Sequence, residues 1–266
     1  VNYPVSLAAY LAFLNGAVVV AIKQVQMDTD TDSDGVSDSV SYDGYLAAID
    51  DVEGPLPGGA FPDILVPLKG DSLTLYQYLA RHCDVQSSIR YRAERTAICG
   101  TSAGTQPQGA GAMAEGIART RLRLIYPDIY TLTLTTFDGT DESYLVDGTY
   151  MAAALAGNRA APAIDVATPW TGARLIGFDK VSRRLDAVQE NQVAVRGISV
   201  ISQNLSVIKV RQGLSTDMSN VLTKTPTVVT IADEVQRQSR ATLGRFIGQK
   251  FLSGVTSQIE SQLSAT

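Results

Sequence analysis

The sequence predicts an α/β protein: a layered α/β domain over residues 1–170 followed by a smaller α+β domain over residues 171–266. Two observations carry this. Strand-like runs of β-branched residues alternate with segments of helical period through the first half of the chain. After Ala156 the texture changes to GNRAAPAIDVATPW (Gly157–Trp170), a small, proline-containing, aperiodic run that marks a boundary.

Taken in order, Ser6 to Leu14 reads as an amphipathic helix, and Asn15-Gly16 turns the chain into a valine-rich strand from Ala17 to Val25. PDILVPL (Pro62–Leu68) reads as a short buried strand. Asp71-Ser72 then gives a helix-start signal for a helix through about Arg81. RTAIC (Arg95–Cys99) is the next strand, Gln106 to Ala118 the next helix, RLRLIYP (Arg121–Pro127) a further strand and Val146 to Ala156 a further helix. Strands separated by helices of this length favour a parallel sheet with right-handed crossovers. Beyond the boundary, Gly197–Ile201 and Leu205–Arg211 read as two strands joined by Ser202-Gln203-Asn204. In the tail, Leu243, Ile247, Phe251, Val255, Ile259 and Leu263 recur every fourth residue. Each such step drifts about 40° on a straight helix, so the tail reads as two helices broken near Gly248–Lys250 or at Gly254.

Composition limits the function. The 266 residues are 45% hydrophobic and 18% charged with a net charge of −5, which lacks the basic footprint of a nucleic-acid binder. The most basic stretch, RTRLRL (Arg119–Leu124), alternates Arg with Leu and reads as a half-buried strand whose Arg side is solvated or faces another subunit. No apolar run reaches the roughly 18 residues of a membrane span, so membrane insertion is not expected, and no signal peptide is visible. Cys83 and Cys99 are too few for a disulfide framework and read as buried thiols in a reducing compartment. The chain starts at Val1 without an initiator Met, as a processed or excised chain does.

The motifs that suggest chemistry fall short. Gly100-Thr101-Ser102-Ala103-Gly104 matches G-x-S-x-G between a strand and a helix, the setting of a nucleophile elbow. Its base would have to be His82, the sole histidine, which precedes the serine where the hydrolase order needs it last. Small residues that permit a tight strand-to-helix turn explain the stretch as well. The same loop lacks a Walker lysine and a dinucleotide fingerprint. One histidine and two scattered cysteines leave zinc no ligand set. Asp50-Asp51 and Asp141-Glu142 are adjacent pairs that diverge in any regular element. The better metal candidate is MDTDTDSDGVSDS (Met27–Ser39). Counted from Asp30, the carboxylates of Asp30, Asp32, Asp34 and Asp38 and the glycine Gly35 match a calcium loop through its ninth position. The twelfth, where a bidentate glutamate closes the shell, is Ser41, and a strand rather than a helix leads in. The loop therefore reads as a solvated acidic turn, with calcium as the minority alternative. No catalytic, cofactor or metal residue is assigned.

Two stretches of the C-terminal half carry a resemblance. LAGNRAAPAIDVATPW (Leu155–Trp170) with LIGFD (Leu175–Asp179), and VRQGLSTDMSNVLTKTPTVVTIADEVQRQSRATLGRFIGQKFL (Val210–Leu252), resemble the contractile tail sheath proteins of bacteriophages, with giant-phage members the nearest. The N-terminal half is similar too, in VNYPVSLAAYLAFLNGAVVVAIKQV, DILVPL and RTAICGTSAGT. The resemblance implies that the first domain is subtilisin-like but non-catalytic. It implies a structural, self-associating virion subunit that assembles helically around an inner tail tube above a baseplate. Contraction of the assembly drives the tube through the host envelope for genome delivery, after assembly in the bacterial cytoplasm. It implies no cofactor. Family members also carry terminal arms that add strands to a neighbour's sheet. This chain begins just before the first helix and ends at SQLSAT, so it reads as a fragment without those arms, monomeric by itself. The alternatives are a calcium-dependent binding or adhesion module using the Asp30–Asp38 loop, and a serine hydrolase at Ser102.

Overall fold

The computed structural model describes residues 4–25, 42–56, 59, 61–135, 138–246 and 253–264. Along the chain lie α1 (Pro4–Leu14), α2 (Tyr42–Asp51), β1 (Ile64–Leu65), α3 (Leu73–Gln86), β2 (Thr96–Gly100), α4 (Pro107–Ile117) and β3 (Leu122–Tyr126). They are followed by β4 (Ile129–Thr135), β5 (Asp141–Asp147), α5 (Gly148–Arg159), β6 (Arg174–Leu175), β7 (Lys180–Val181) and α6 (Ala187–Ala194). The chain continues through β8 (Ile198–Asn204), β9 (Val207–Gln212), α7 (Pro226–Leu243), a 3-10 turn (Gly244–Phe246) and α8 (Ser253–Ser264).

β1, β2, β3 and β8 form the parallel part of a sheet ordered β1-β2-β3-β8-β9-β6, which β9 and β6 complete antiparallel. The fold is thus α/β, as expected from the alternating pattern. Side-chain alternation splits the core into two layers. Ala97 and Cys99 of β2 with Leu122, Leu124 and Tyr126 of β3 pack under α3, α4 and α6, whereas Ile98 and Ile125 pack under α1 and α5. α3 starts where Ser72 accepts a bond from the Leu75 amide at 3.2 Å, the cap that Asp71-Ser72 predicted. It runs on to Gln86 because Leu79, Ala80 and Cys83 keep its apolar stripe going. α5 is buried from Gly148 to Gly157, so it is enclosed on every side. α1 lies on it so closely that a Cβ at Gly157 would be 2.1 Å from the Ala12 carbonyl oxygen.

Several expectations are corrected. Ala17 to Val25 forms no strand; Val18, Val19 and Ile22 are 67%, 79% and 58% exposed. β-branched residues fit a pleated surface, but a strand exists only where a neighbouring edge completes its ladder. The helix expected from Val146 starts at Gly148, because Val146 belongs to an unforeseen hairpin, β4–β5, that with β7 makes a second sheet. Its signals are present in the alternation of Tyr130 and Leu132, both buried, with Thr131 and Thr133, and in Asp138-Gly139. The β8–β9 hairpin forms as expected, but Ser202 to Asn204 lie within β8 and Leu205, at φ +55°, makes the turn. It joins β3 in the main sheet, so that sheet runs continuously across residue 170. The tail is two helices; Gly248 to Lys250 lie outside the described residues, and Gly254 is inside α8. The Asp30, Asp32, Asp34 and Asp38 loop also lies outside them.

Candidate functional site

In open α/β sheets a ligand crevice opens at the C-terminal strand ends where successive crossovers diverge to opposite faces. That point here lies between β2, which leads to α4 on one face, and β3, which leads through β4 and β5 to α5 on the other. The loop Gly100–Thr105 occupies it, and the crevice is filled by backbone. The Gly148 amide donates to the Thr101 carbonyl at 2.9 Å, and a Cβ on Gly100 would lie 2.0 Å from the Gly148 carbonyl carbon and oxygen. Asp128, fully buried, accepts from the Gly104 amide at 2.8 Å and holds the guanidinium of Arg183 through Nε and Nη2. Arg183 Nη1 also reaches Gln106 Oε1 at 3.4 Å, so one ion pair ties the loop, the β3 end and the segment after β7 together.

Among the described residues no base is placed at Ser102. Its Oγ is 3.4 Å from Thr105 Oγ1, a hydroxyl whose own proton goes to the Ser102 carbonyl at 2.7 Å. His82 lies in the second half of α3, against Arg95, which precedes β2, whereas Ser102 follows β2. Five strand residues, roughly 16 Å, separate the two ends. The hydrolase alternative fails on that placement.

At the other end of the sheet the structure gathers charges that are dispersed along the sequence. Oxygens of Asp50 and Glu53 and a nitrogen of His82 lie within 4.8 Å of one another, a trio that sequence spacing does not announce. Asp50 and Glu53 are three apart on one stretch, a legible pair; His82 comes from a different helix. Arg95 Nη1 donates to the Val52 carbonyl at 2.7 Å and lies 3.1 Å from His82 Nε2. That contact assigns the ring proton to Nδ1. Burial and the Arg95 charge push His82 down to about 4, so the ring is neutral. A cation at Nε2 would displace the Arg95 donor, and one at Nδ1 would displace the proton, each beside a guanidinium. The trio is therefore poorly suited to a metal.

In RTRLRL, Arg119 is exposed, but Arg121 and Arg123 are not solvated, contrary to expectation. Arg123 is fully buried, its guanidinium 5.5 Å from the Trp170 ring centroid, and burial pushes it down to about 10. Arg121 makes two 2.6 Å bonds to Asp233 of α7. The covering elements, Trp170 and α7, come from distant sequence. Cys83 and Cys99 are buried free thiols, as expected, and burial pushes Cys83 up to about 12. Among the described residues no helix is long and apolar enough to cross a membrane.

The chain is a two-layered α/β fold whose switch-point crevice is closed by backbone and an ion pair. Its fold is that of the sheath proteins of contractile tails and injection systems. The sheath tail protein of Desulfitobacterium hafniense matches 86% of this chain with a TM-score of 0.62 at 14% identity. The helical sheath of the anti-feeding prophage in its contracted state matches 98% with a TM-score of 0.62 at 14% identity. The contracted sheath complex of an extracellular contractile injection system (PVC) matches 94% with a TM-score of 0.57 at 11% identity. The alignments span 49%, 64% and 79% of those chains, so this chain covers about half the length of the first. No protein-family model matches the sequence, and no curated protein matches it.

Proposed function

We propose that this chain is a structural subunit of a contractile tail sheath. It assembles helically with copies of itself around an inner tail tube, above a baseplate, and contraction of the assembly drives the tube through a host envelope. The observation that carries the proposal is the likeness of fold to sheath proteins over 86–98% of the chain. The site geometry supports a mechanical part over a catalytic one: the crevice at the switch point is filled, and Ser102 and His82 are at opposite ends of β2. A chain that transmits force between neighbours needs a body that moves as a unit. The mutual burial of α1, α5 and β2 provides that by close packing. The same reading places the protein in the virion or a related particle, assembled in the host bacterial cytoplasm, with no cofactor. Co-expression with an inner tube protein of a contractile tail tests this. The chain is expected to sediment with tubes as a regular coat; recovery of bare tubes with all of the chain in the soluble fraction would overturn it.

A further inference from the structure

α7 is attached to the body in an unusual way. Its buried residues are Pro226, Thr227, Val229 and Asp233, so apolar burial ends after the first turn. The rest of the helix is fastened by charge across the starts of three neighbouring strands. Arg121, just before β3, holds Asp233 through two 2.6 Å bonds. Glu94, just before β2, meets Arg240 at 2.6 Å and Arg237 at 3.7 Å. Asp63, just before β1, meets Arg237 at 2.9 Å, and the same Nη2 donates to the Glu94 carbonyl at 3.0 Å. The rim offers Asp63, Glu94 and Arg121; the helix offers Arg237, Arg240 and Asp233. The two charge sets are complementary.

The two ends of this attachment differ in kind. The lead-in is fixed to β3: the Thr216 amide donates to the Leu122 carbonyl at 3.1 Å, and Thr216 Oγ1 bonds both the Arg119 amide and its carbonyl. Past Val229 an opening of α7 exposes little apolar surface. It returns to water the carboxylates of Glu94 and Asp233 and the guanidinium of Arg121, whose desolvation opposes the pairing. Opening breaks no ladder bond of the sheet, and the undocked helix, without the packing that supplies most helical stability, frays and exposes its amides to exchange.

We infer that α7 is a charge-latched strap, anchored at its first turn, that lifts from the N-terminal rim of the sheet as a unit while the sheet stays folded. The inference stands on the ion-pair geometry and does not need the sheath reading. Charge complementarity sets the register of the docked strap, and ionic strength sets how long it stays docked. The released face would present Asp233, Arg237 and Arg240 to a neighbour.

Hydrogen exchange of the 266-residue chain, read by mass spectrometry at about 0.01 M and about 1 M salt, spans Debye lengths of about 30 Å to about 3 Å. Amides 230–243 are expected to exchange about tenfold faster at high salt, with β2 and β3 unchanged. The double variant Arg237→Ala, Arg240→Ala is expected to give the same acceleration at low salt. Arg121→Glu alone is expected to release the strap, and Arg121→Glu with Asp233→Arg to restore it. The inference is overturned if exchange in α7 is unmoved by salt, if β2 and β3 accelerate in parallel with it, or if the charge swap restores nothing.

Discussion

Replacing Gly100 by alanine tests whether the crevice at the sheet's switch point is filled. The added methyl would lie 2.0 Å from the Gly148 carbonyl carbon and oxygen and 2.3 Å from the Thr149 amide nitrogen. Ordinary carbon contacts begin at about 3.4 Å, so the start of α5 must retreat by roughly 1.4 Å. α5 has no room for that, being buried from Gly148 to Gly157 between α1 and the sheet. Overpacking of this kind costs about 3 kcal/mol at the upper end of its usual range. For a chain of this size the loss lowers Tm by about 6–12 °C. Two controls separate packing from backbone effects. Gly104, at φ +94° with nothing within 4 Å of an added methyl, should lose about 1 kcal/mol from conformation alone on substitution by alanine. Gly54, with open space and no positive φ, should lose none. Thermal and urea unfolding followed by circular dichroism reads all three. A Gly100→Ala loss no larger than that of Gly104→Ala would show that the crevice has room, and would reopen it as a ligand site.

Three further outcomes follow from the charges and thiols. His82 is held neutral with its pKa lowered from 6.5 to about 4, so the unfolded chain takes up the proton first and the contribution is lost as pH falls from 6.5 toward 4. That is about 3 kcal/mol at most, and urea titrations should show a flatter pH slope in His82→Gln, which keeps an acceptor for Arg95; an unchanged slope contradicts it. Cys83 and Cys99 are expected to resist a thiol reagent at pH 8 in the native chain and to react at once in denaturant, because burial raises both and the thiolate is the nucleophile; native labelling would contradict this. Calcium in excess over a chelator is expected to leave Tm unchanged, because Ser41 stands in the sequence where a calcium loop has its closing glutamate; a shift that grows with calcium and vanishes when Asp30 and Asp32 become asparagine would establish a bound ion.

The parts of this fold legible in the sequence are those whose information is local. Ser72 announces α3 by a cap, RTAIC and RLRLIY announce β2 and β3 by composition, and the tail announces two helices by a drifting period. Where a distant partner decides the outcome, local pattern misleads. Ala17 to Val25 has the residues of a strand, but pairs with no strand among the described residues. Arg121 and Arg123 read as a solvated face because Asp233 and Trp170, which cover them, are about 110 and 47 residues away. The β4–β5 hairpin is legible through Asp138-Gly139 and alternating threonines, but its last residues run straight into α5 and share that helix's apolar pattern. At the crevice, Gly100 to Gly104 suits either a nucleophile elbow or a tight turn. Gly148, Asp128 and Arg183, which decide for the turn, carry no local motif.

Whether this chain is a sheath subunit can be read from a helical reconstruction of contractile particles purified from cells that produce it. The expected map has a repeating outer layer around an inner tube. Its density should accept the sheet β1-β2-β3-β8-β9-β6 with α1 and α5 on one face, at one copy per repeat. Particles whose outer layer is built by another protein, with this chain absent or confined to one end, would contradict the assignment.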